Sequence, residues 1–153
     1  MKAEPKSDTP AELTIRRRFA APRALVFRAW TDGEHLRRWC CPTGFTIPFS
    51  EGDIRPGGRF RTCMRSPLGE DHWLGGTYIE ILQDLKIVFS HAWQDASGQA
   101  GPETTVTVRL ADSDGGGTLL TLHQAFFATV SSRDGHMEGW NETLDQLERH
   151  LAT

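Results

Sequence analysis

The 153-residue sequence has one tyrosine, three methionines and three cysteines, and it lacks an excess of either charge: 17 basic side chains stand against 20 acidic ones, a formal net charge of -3. Each scarcity excludes something. Three cysteines, two of them adjacent at Cys40 and Cys41, form an odd set that fits reduced thiols better than a secreted disulfide framework. Without a basic excess there is no general attraction to phosphate backbones or anionic lipid, so neither nucleic acid nor membrane is an expected partner. No run of about 18 apolar residues is present to span a bilayer, and the opening MKAEPKSDTP lacks the apolar centre of a signal peptide. A soluble, cytoplasmic protein is expected. The motifs G-x-S-x-G, G-x-x-x-x-G-K-[ST] and H-E-x-x-H are missing, so hydrolase, nucleotide and zinc-protease chemistry lack their defining geometry. Cys40, Cys41, Cys63 and His35 show no C-x-x-C or H-x-x-x-H spacing. No metal and no cofactor are expected.

What is present is strong patterning. A chain of this length can bury roughly 68–70% of its unfolded surface around one core. Residues 1–10 are polar with two prolines and are expected to be loose, leaving 11–153 as the folded unit. Residues 12–19, ELTIRRRF, alternate as a strand with Leu13, Ile15, Arg17 and Phe19 on one side. Pro22 suits the first turn of a helix through ALVFRAW, where Leu25, Val26, Ala29 and Trp30 make an apolar side. Thr31-Asp32 can cap a second short helix, GEHLRRWC, which stops before Pro42.

From residue 45 to 126 follow FTIPFSE, GRFRTCMR, WLGGTYIEIL, KIVFSHAW, TTVTVRL and TLLTLHQAF, joined by hairpin-length turns too short for parallel crossovers. The spacing predicts an antiparallel meander. Phe60, Thr62 and Met64, then Val106, Val108 and Leu110, then Leu120, Leu122 and Gln124 fall on one face, with Arg59, Arg61, Arg65 and Arg109 on the other. The last segment, residues 134–151, is an amphipathic helix with Met137, Trp140, Leu144, Leu147 and Leu151 on one stripe. It is the only long apolar stripe available to cover the sheet, and a sheet curled around one helix can leave a gap for a small molecule. The fold class is therefore α+β.

The segment RRFAAPRALVFRAWTDGEHLRRW resembles the R-x-F-x-A-P-x-x-x-V-F-x-A-W-T-D-x-x-x-L-x-x-W opening of the family named after the activator of the heat-shock protein 90 ATPase, within the START-like or SRPBCC superfamily. The resemblance continues in order through PTGFT, PGGRFR, GTYIEI with KIVFSHAW, GGTLLTLHQAF and HMEGWNETLDQLERHL. It implies the helix-grip fold, a curved seven-stranded antiparallel sheet around a long C-terminal helix, with two short helices between the first two strands. Cys40-Cys41 and Gln124 depart from the aromatic, small and histidine residues common in the family at those places.

The expected function is binding of a small, mainly apolar ligand between sheet and helix, without defined catalysis. The alternatives are a co-chaperone-like interaction module with chaperone contact, and an enzyme on cyclic or polyketide-like substrates, as in some START-like relatives. Whether the protein is an enzyme stays open, as does its oligomeric state. Tyr78, Phe89, His91, Trp93, Leu122, Gln124, His136, Met137 and Trp140 are the candidate ligand-binding residues. His136 can offer a hydrogen bond or act as acid or base, or merely satisfy nearby backbone. Tyr78 can contact ligand or make a core hydrogen bond. His91 and Trp93 share a strand face with Ile87 and Phe89, as an aromatic wall or as ordinary packing. Arg17, on a core-facing position, is expected to form a structural ion pair with Glu51, Glu80 or Glu138 rather than bind an anion. Gly139, inside a helix, is expected to give room at the rim of the cavity or to let a neighbouring segment approach closely, in which case an added methyl would crowd it.

Overall fold

A computed structural model describes residues 11–153. The alternating segments pair into one seven-stranded antiparallel sheet in the order β1-β7-β6-β5-β4-β3-β2. The strands are β1 (Ala11–Phe19), β2 (Thr46–Gly52), β3 (Arg59–Arg65), β4 (Asp71–Leu82), β5 (Lys86–Gln94), β6 (Thr104–Ser113) and β7 (Gly117–Phe127). Strands β2 to β7 follow one another as hairpins, while β1 pairs with β7 at the opposite edge from β2. The chain must therefore cross from one edge of the sheet to the other between β1 and β2. It does so through α1 (Arg23–Thr31) and α2 (Gly33–Trp39). Asp32 separates these helices and caps α2, its carboxylate accepting from the Glu34 backbone N–H at 2.8 Å.

The long helix α3 (Val130–Leu151) lies over the concave face. Leu144 and Leu147 are fully buried with Leu13, Phe19, Val106, Val108, Leu110, Leu120 and Leu122 of β1, β6 and β7. Burial of each such leucine is worth about 1.5–3 kcal/mol, so this end of the helix carries most of its docking energy. The inward set follows the alternation read from sequence, and Arg59, Arg61, Arg65 and Arg109 are exposed on the other face.

Three expectations are modified. First, α3 begins at Val130, not at residue 134: Thr129 accepts from the Ser132 N–H at 3.0 Å and starts the helix four residues earlier than the apolar stripe suggests. His136 and Trp140 thus sit in its second and third turns. Second, Phe27 is buried on α1 in place of Leu25, which is 38% exposed, because α1 is covered from two sides, by the sheet and by α2 and α3. Third, Arg17 pairs with none of the expected glutamates. Its guanidinium donates to Asp145 at 2.6 Å and to the Asn141 side chain and carbonyl at 3.2 Å, tying β1 to α3. Glu80 is taken by Lys86 at 2.9 Å, and Glu51 and Glu138 are exposed. Residues 12–19 and 134–151 lie against each other because β1 joins the sheet beside β7 and α3 packs on it, which spacing along the chain does not show. Residues 1–10, expected to be loose, lie outside the described residues.

Near the end of β7 the register slips by one residue: Glu12 faces Ala125 but Ala11 faces Phe127. The extra residue, Phe126, takes φ +75° and points outward, 57% exposed, while Phe127 turns inward and is buried. A bulky side chain in that left-handed region costs about 1–2 kcal/mol. The bulge stands directly before the Thr129 cap.

Candidate functional site

The sheet and α3 do not fill the space between them evenly. Under β2, β3, β4 and β5 the first half of α3 and α2 enclose a cavity of about 750 Å³. Its walls are largely apolar: Leu36 of α2, Phe45 and Ile47 around β2, Phe60 and Met64 of β3, Leu74 of β4. Exposed Arg37, Glu51, His72, Trp93 and Gly135 stand among its lining residues, so the cavity opens between α2, β2, the paired ends of β4 and β5, and the start of α3.

The helix side explains the odd composition of HMEGW. Ser132, Gly135, His136, Gly139, Trp140 and Thr143 all line the cavity, the i, i+3, i+4, i+7 pattern of one helix face. At both Gly135 and Gly139 a Cβ atom would meet nothing within 4 Å. The crowding expected at Gly139 is therefore absent, and the glycines border open space. Each costs roughly 1 kcal/mol of helix propensity relative to Ala.

Six of the nine candidate residues come together on this cavity: Tyr78, Phe89, His91, Trp93, His136 and Trp140. Three do not line it. Leu122 is fully buried in the packed core, and Met137 packs against that core from the next helix face. Gln124 is also fully buried, donating to the Thr104 hydroxyl at 2.8 Å and accepting from the Trp140 indole at 2.7 Å. It positions Trp140 from behind. Trp140 lies 6.0 Å from Trp30, which in turn meets Trp39 edge-on at 4.7 Å. The Trp30 Nε1–H is the buried side-chain donor left without a partner among the described residues.

The hydrogen bonds of His136 fix its state. Nδ1 lies 2.7 Å from the Ser132 carbonyl, which only accepts, and Nε2 accepts a hydrogen bond from the Trp93 indole N–H at 2.9 Å. The ring is thus the Nδ1-protonated tautomer with both nitrogens engaged, and Phe127 packs on it at 4.9 Å. The backbone-satisfying reading fits it better than an acid–base role. His91, 5.8 Å from His136, has no hydrogen bond to another described side chain, and burial, with the neighbouring His136, pushes its pKa down to about 4. Burial, reinforced by Cys40, pushes the Tyr78 hydroxyl above its ordinary range. The Cys40 thiol on the cavity wall is pushed up to about 12 by burial and the adjacent Cys41, and Cys41 to about 11 by burial. Both are protonated at neutral pH, which removes the thiolate that nucleophilic or metal-binding cysteine needs. No group of three or more His, Cys, Asp and Glu residues is placed to hold a metal among the described residues.

Sequence reasoning missed the far wall, Leu36, Phe45, Ile47 and Phe60. The available signal was the apolar residues that α2 and the segment leading into β2 carry, Leu36, Phe45 and Ile47.

A curved antiparallel sheet gripping a long C-terminal helix, with a cavity between them, defines the START-like, helix-grip class. Within that class the chain belongs to the family described as Activator of Hsp90 ATPase homolog 1-like protein, whose sequence model matches residues 20–152. Solved structures agree. The chain is similar to the AHSA1 protein from Silicibacter pomeroyi, with 25% identity over 93% of this chain and 98% of that one and a TM-score of 0.84. It is also similar to a Nitrosomonas europaea protein, with 29% identity over 92% and 94% and a TM-score of 0.77. A Rhodobacter sphaeroides protein shares 26% identity over 97% and 96% with a TM-score of 0.77. No curated protein matches. No described helix is long and apolar enough to cross a membrane.

Proposed function

We propose that the protein reversibly holds a small, mainly apolar molecule in the cavity between β2–β5 and the first half of α3. The observation that carries this reading is the pair Gly135 and Gly139, whose absent side chains border a cavity of about 750 Å³ instead of a neighbouring backbone. Two glycines in a helix interior forgo about 2 kcal/mol of propensity. A helix that served only as a cover would gain stability from alanine at both, and the space they leave has the size of ordinary small-molecule sites, about 300–1,000 Å³. The aromatic and aliphatic walls supply apolar area. A catalytic reading has less support, because His136 has both nitrogens engaged and the cysteines are held as thiols.

The test is titration with N-phenyl-1-naphthylamine, a neutral apolar fluorophore. Saturable one-site binding that disappears in Gly139→Leu, with the fold intact by circular dichroism, is expected. Binding that is not saturable, or that is unchanged in Gly139→Leu, would sink the reading. Chaperone contact and turnover of cyclic or polyketide-like substrates are the other outcomes. Native mass spectrometry of gently purified protein separates them, a retained small molecule supporting the binding role and a co-purified chaperone opposing it.

A further inference from the structure

The cavity's polar groups divide into those already used by the protein and those left over. The Trp140 indole is bound to Gln124, and the Trp93 indole and both His136 nitrogens are bound to one another or to backbone. The Arg37 guanidinium at the mouth donates to the Ser50 carbonyl at 2.8 Å and reaches Glu34 at 3.5 Å. Three lining side chains, each more than nine-tenths buried, make no side-chain hydrogen bond among the described residues: Trp30 of α1, Tyr78 of β4 and His91 of β5. The last two belong to paired strands. Tyr78 faces Phe89, which puts His91 on the diagonal position of the same inward face, roughly 7–8 Å away. Phe60 and Phe89 pack around the tyrosine ring, with centroids 5.4 and 6.0 Å from it.

A polar group open to an apolar cavity is satisfied only by what the cavity holds, so two such groups on one face favour a ligand that carries a polar group there. The geometry points to a ligand that is apolar over most of its surface and carries a hydroxyl group, alcohol or phenol, held by Tyr78 and His91; this rests on the cavity being the binding site. A hydroxyl fits because each of the two residues presents both a donor and an acceptor. The tyrosine has its O–H and lone pairs, and a neutral imidazole has one N–H and one bare nitrogen. A carboxylate fits poorly at that position. It offers only acceptors, and the one fixed cation among the described lining residues, Arg37, is exposed on α2 rather than on the strands that carry the pair. The low pKa of His91 is consistent with an imidazole that stays uncharged at neutral pH and so provides no counter-ion.

Three probes with one skeleton test this at pH 7: phenanthrene, 9-phenanthrol and phenanthrene-9-carboxylate, measured by intrinsic fluorescence on the full chain. One net hydrogen bond makes 9-phenanthrol bind up to about tenfold tighter than phenanthrene, and the carboxylate weakest. In Tyr78→Phe, which removes only the unpartnered hydroxyl, the phenanthrol-to-phenanthrene ratio is expected to fall to about twofold or less. His91→Leu should lower it likewise. Because the readout is a ratio, a general loss of fit in either variant cancels. Equal affinity of phenanthrol and phenanthrene in the unaltered protein overturns the hydroxyl inference and leaves apolar binding standing. A ratio unmoved by both variants overturns it too. Tighter binding of the carboxylate overturns it by locating the polar end at Arg37. If none of the three binds, the binding reading itself falls, and the inference with it.

Discussion

The two halves of α3 have the same partner sheet and opposite tasks. From Thr143 onward the helix presents Leu144 and Leu147, fully buried against β1, β6 and β7. Before Thr143 the inward face is Ser132, Gly135, His136, Gly139 and Trp140, and it borders a cavity. The first arrangement is what a stable helix–sheet interface requires; the second gives up propensity and contact together. The difference teaches that stability and a hollow interior have been separated along one element, so the closed half can hold the helix in place while the open half remains unfilled.

The largest expected effect breaks the comparison if it fails. Leu144→Ala leaves a cavity in the packed half and should cost about 2–5 kcal/mol, whereas Leu36→Ala, on the already open wall, should cost about 1 kcal/mol or less. Urea denaturation of both variants provides the check, and equal losses would mean that the halves are not distinct.

The next effect sharpens it through pH. His91 is held at about 4 in the fold against 6.5 in the unfolded chain. Between those values the unfolded state binds a proton that the folded state refuses. Stability is therefore full above about pH 6.5, falls as pH drops, and levels off below 4, a loss on the order of 3 kcal/mol. His150, depressed by burial and by His35, acts in the same direction. Chemical denaturation at pH 7, 5.5 and 4 should show the decline, and His91→Leu should flatten most of it.

A smaller effect concerns the glycines. Since a Cβ at Gly135 or Gly139 touches nothing, Gly135→Ala and Gly139→Ala should each raise stability by up to about 1 kcal/mol. The double variant should melt several degrees higher and bind N-phenyl-1-naphthylamine less tightly. A lower melting temperature would show that the space is filled by something the fold needs.

The smallest effect lies at the join of the two halves. The Arg17–Asp145 pair is partly open to water, with 21% and 49% of the two side chains exposed, so Asp145→Asn should cost less than about 1 kcal/mol and should lose that cost in high salt. A loss above about 2 kcal/mol would mark the pair as a buried one.

The sheet was readable from sequence because its period is two and its turns are short: the faces of residues 60–64, 106–110 and 120–124 followed from alternation alone. The cavity was readable only in part. Tyr78, His91, Trp93 and Phe89 were identified because an inward strand position shows itself in the pattern. Whether that position meets core or empty space does not, since it depends on what the helix opposite presents. Leu122 and Gln124 alternate like the lining residues, yet Leu122 lies in the packed core and Gln124 is covered by Trp140. The partner of Arg17 was hidden for a related reason, because the pairing of the first strand with the last leaves no local trace in either segment.

The bulge at Phe126 can be seen as a matter of parity. Along β7 the inward residues are even-numbered through Gln124, and after one inserted residue the inward position is odd, at Phe127. A strand that kept strict count would send Phe126 inward and Phe127 out, and would deliver the chain to Thr129 rotated by half a pleat. The helix would then leave the sheet on a different heading, and the contact between Phe127 and His136 would be lost. One residue of miscounting, held at the expense of a left-handed phenylalanine, thus sets the direction in which the whole of α3 departs.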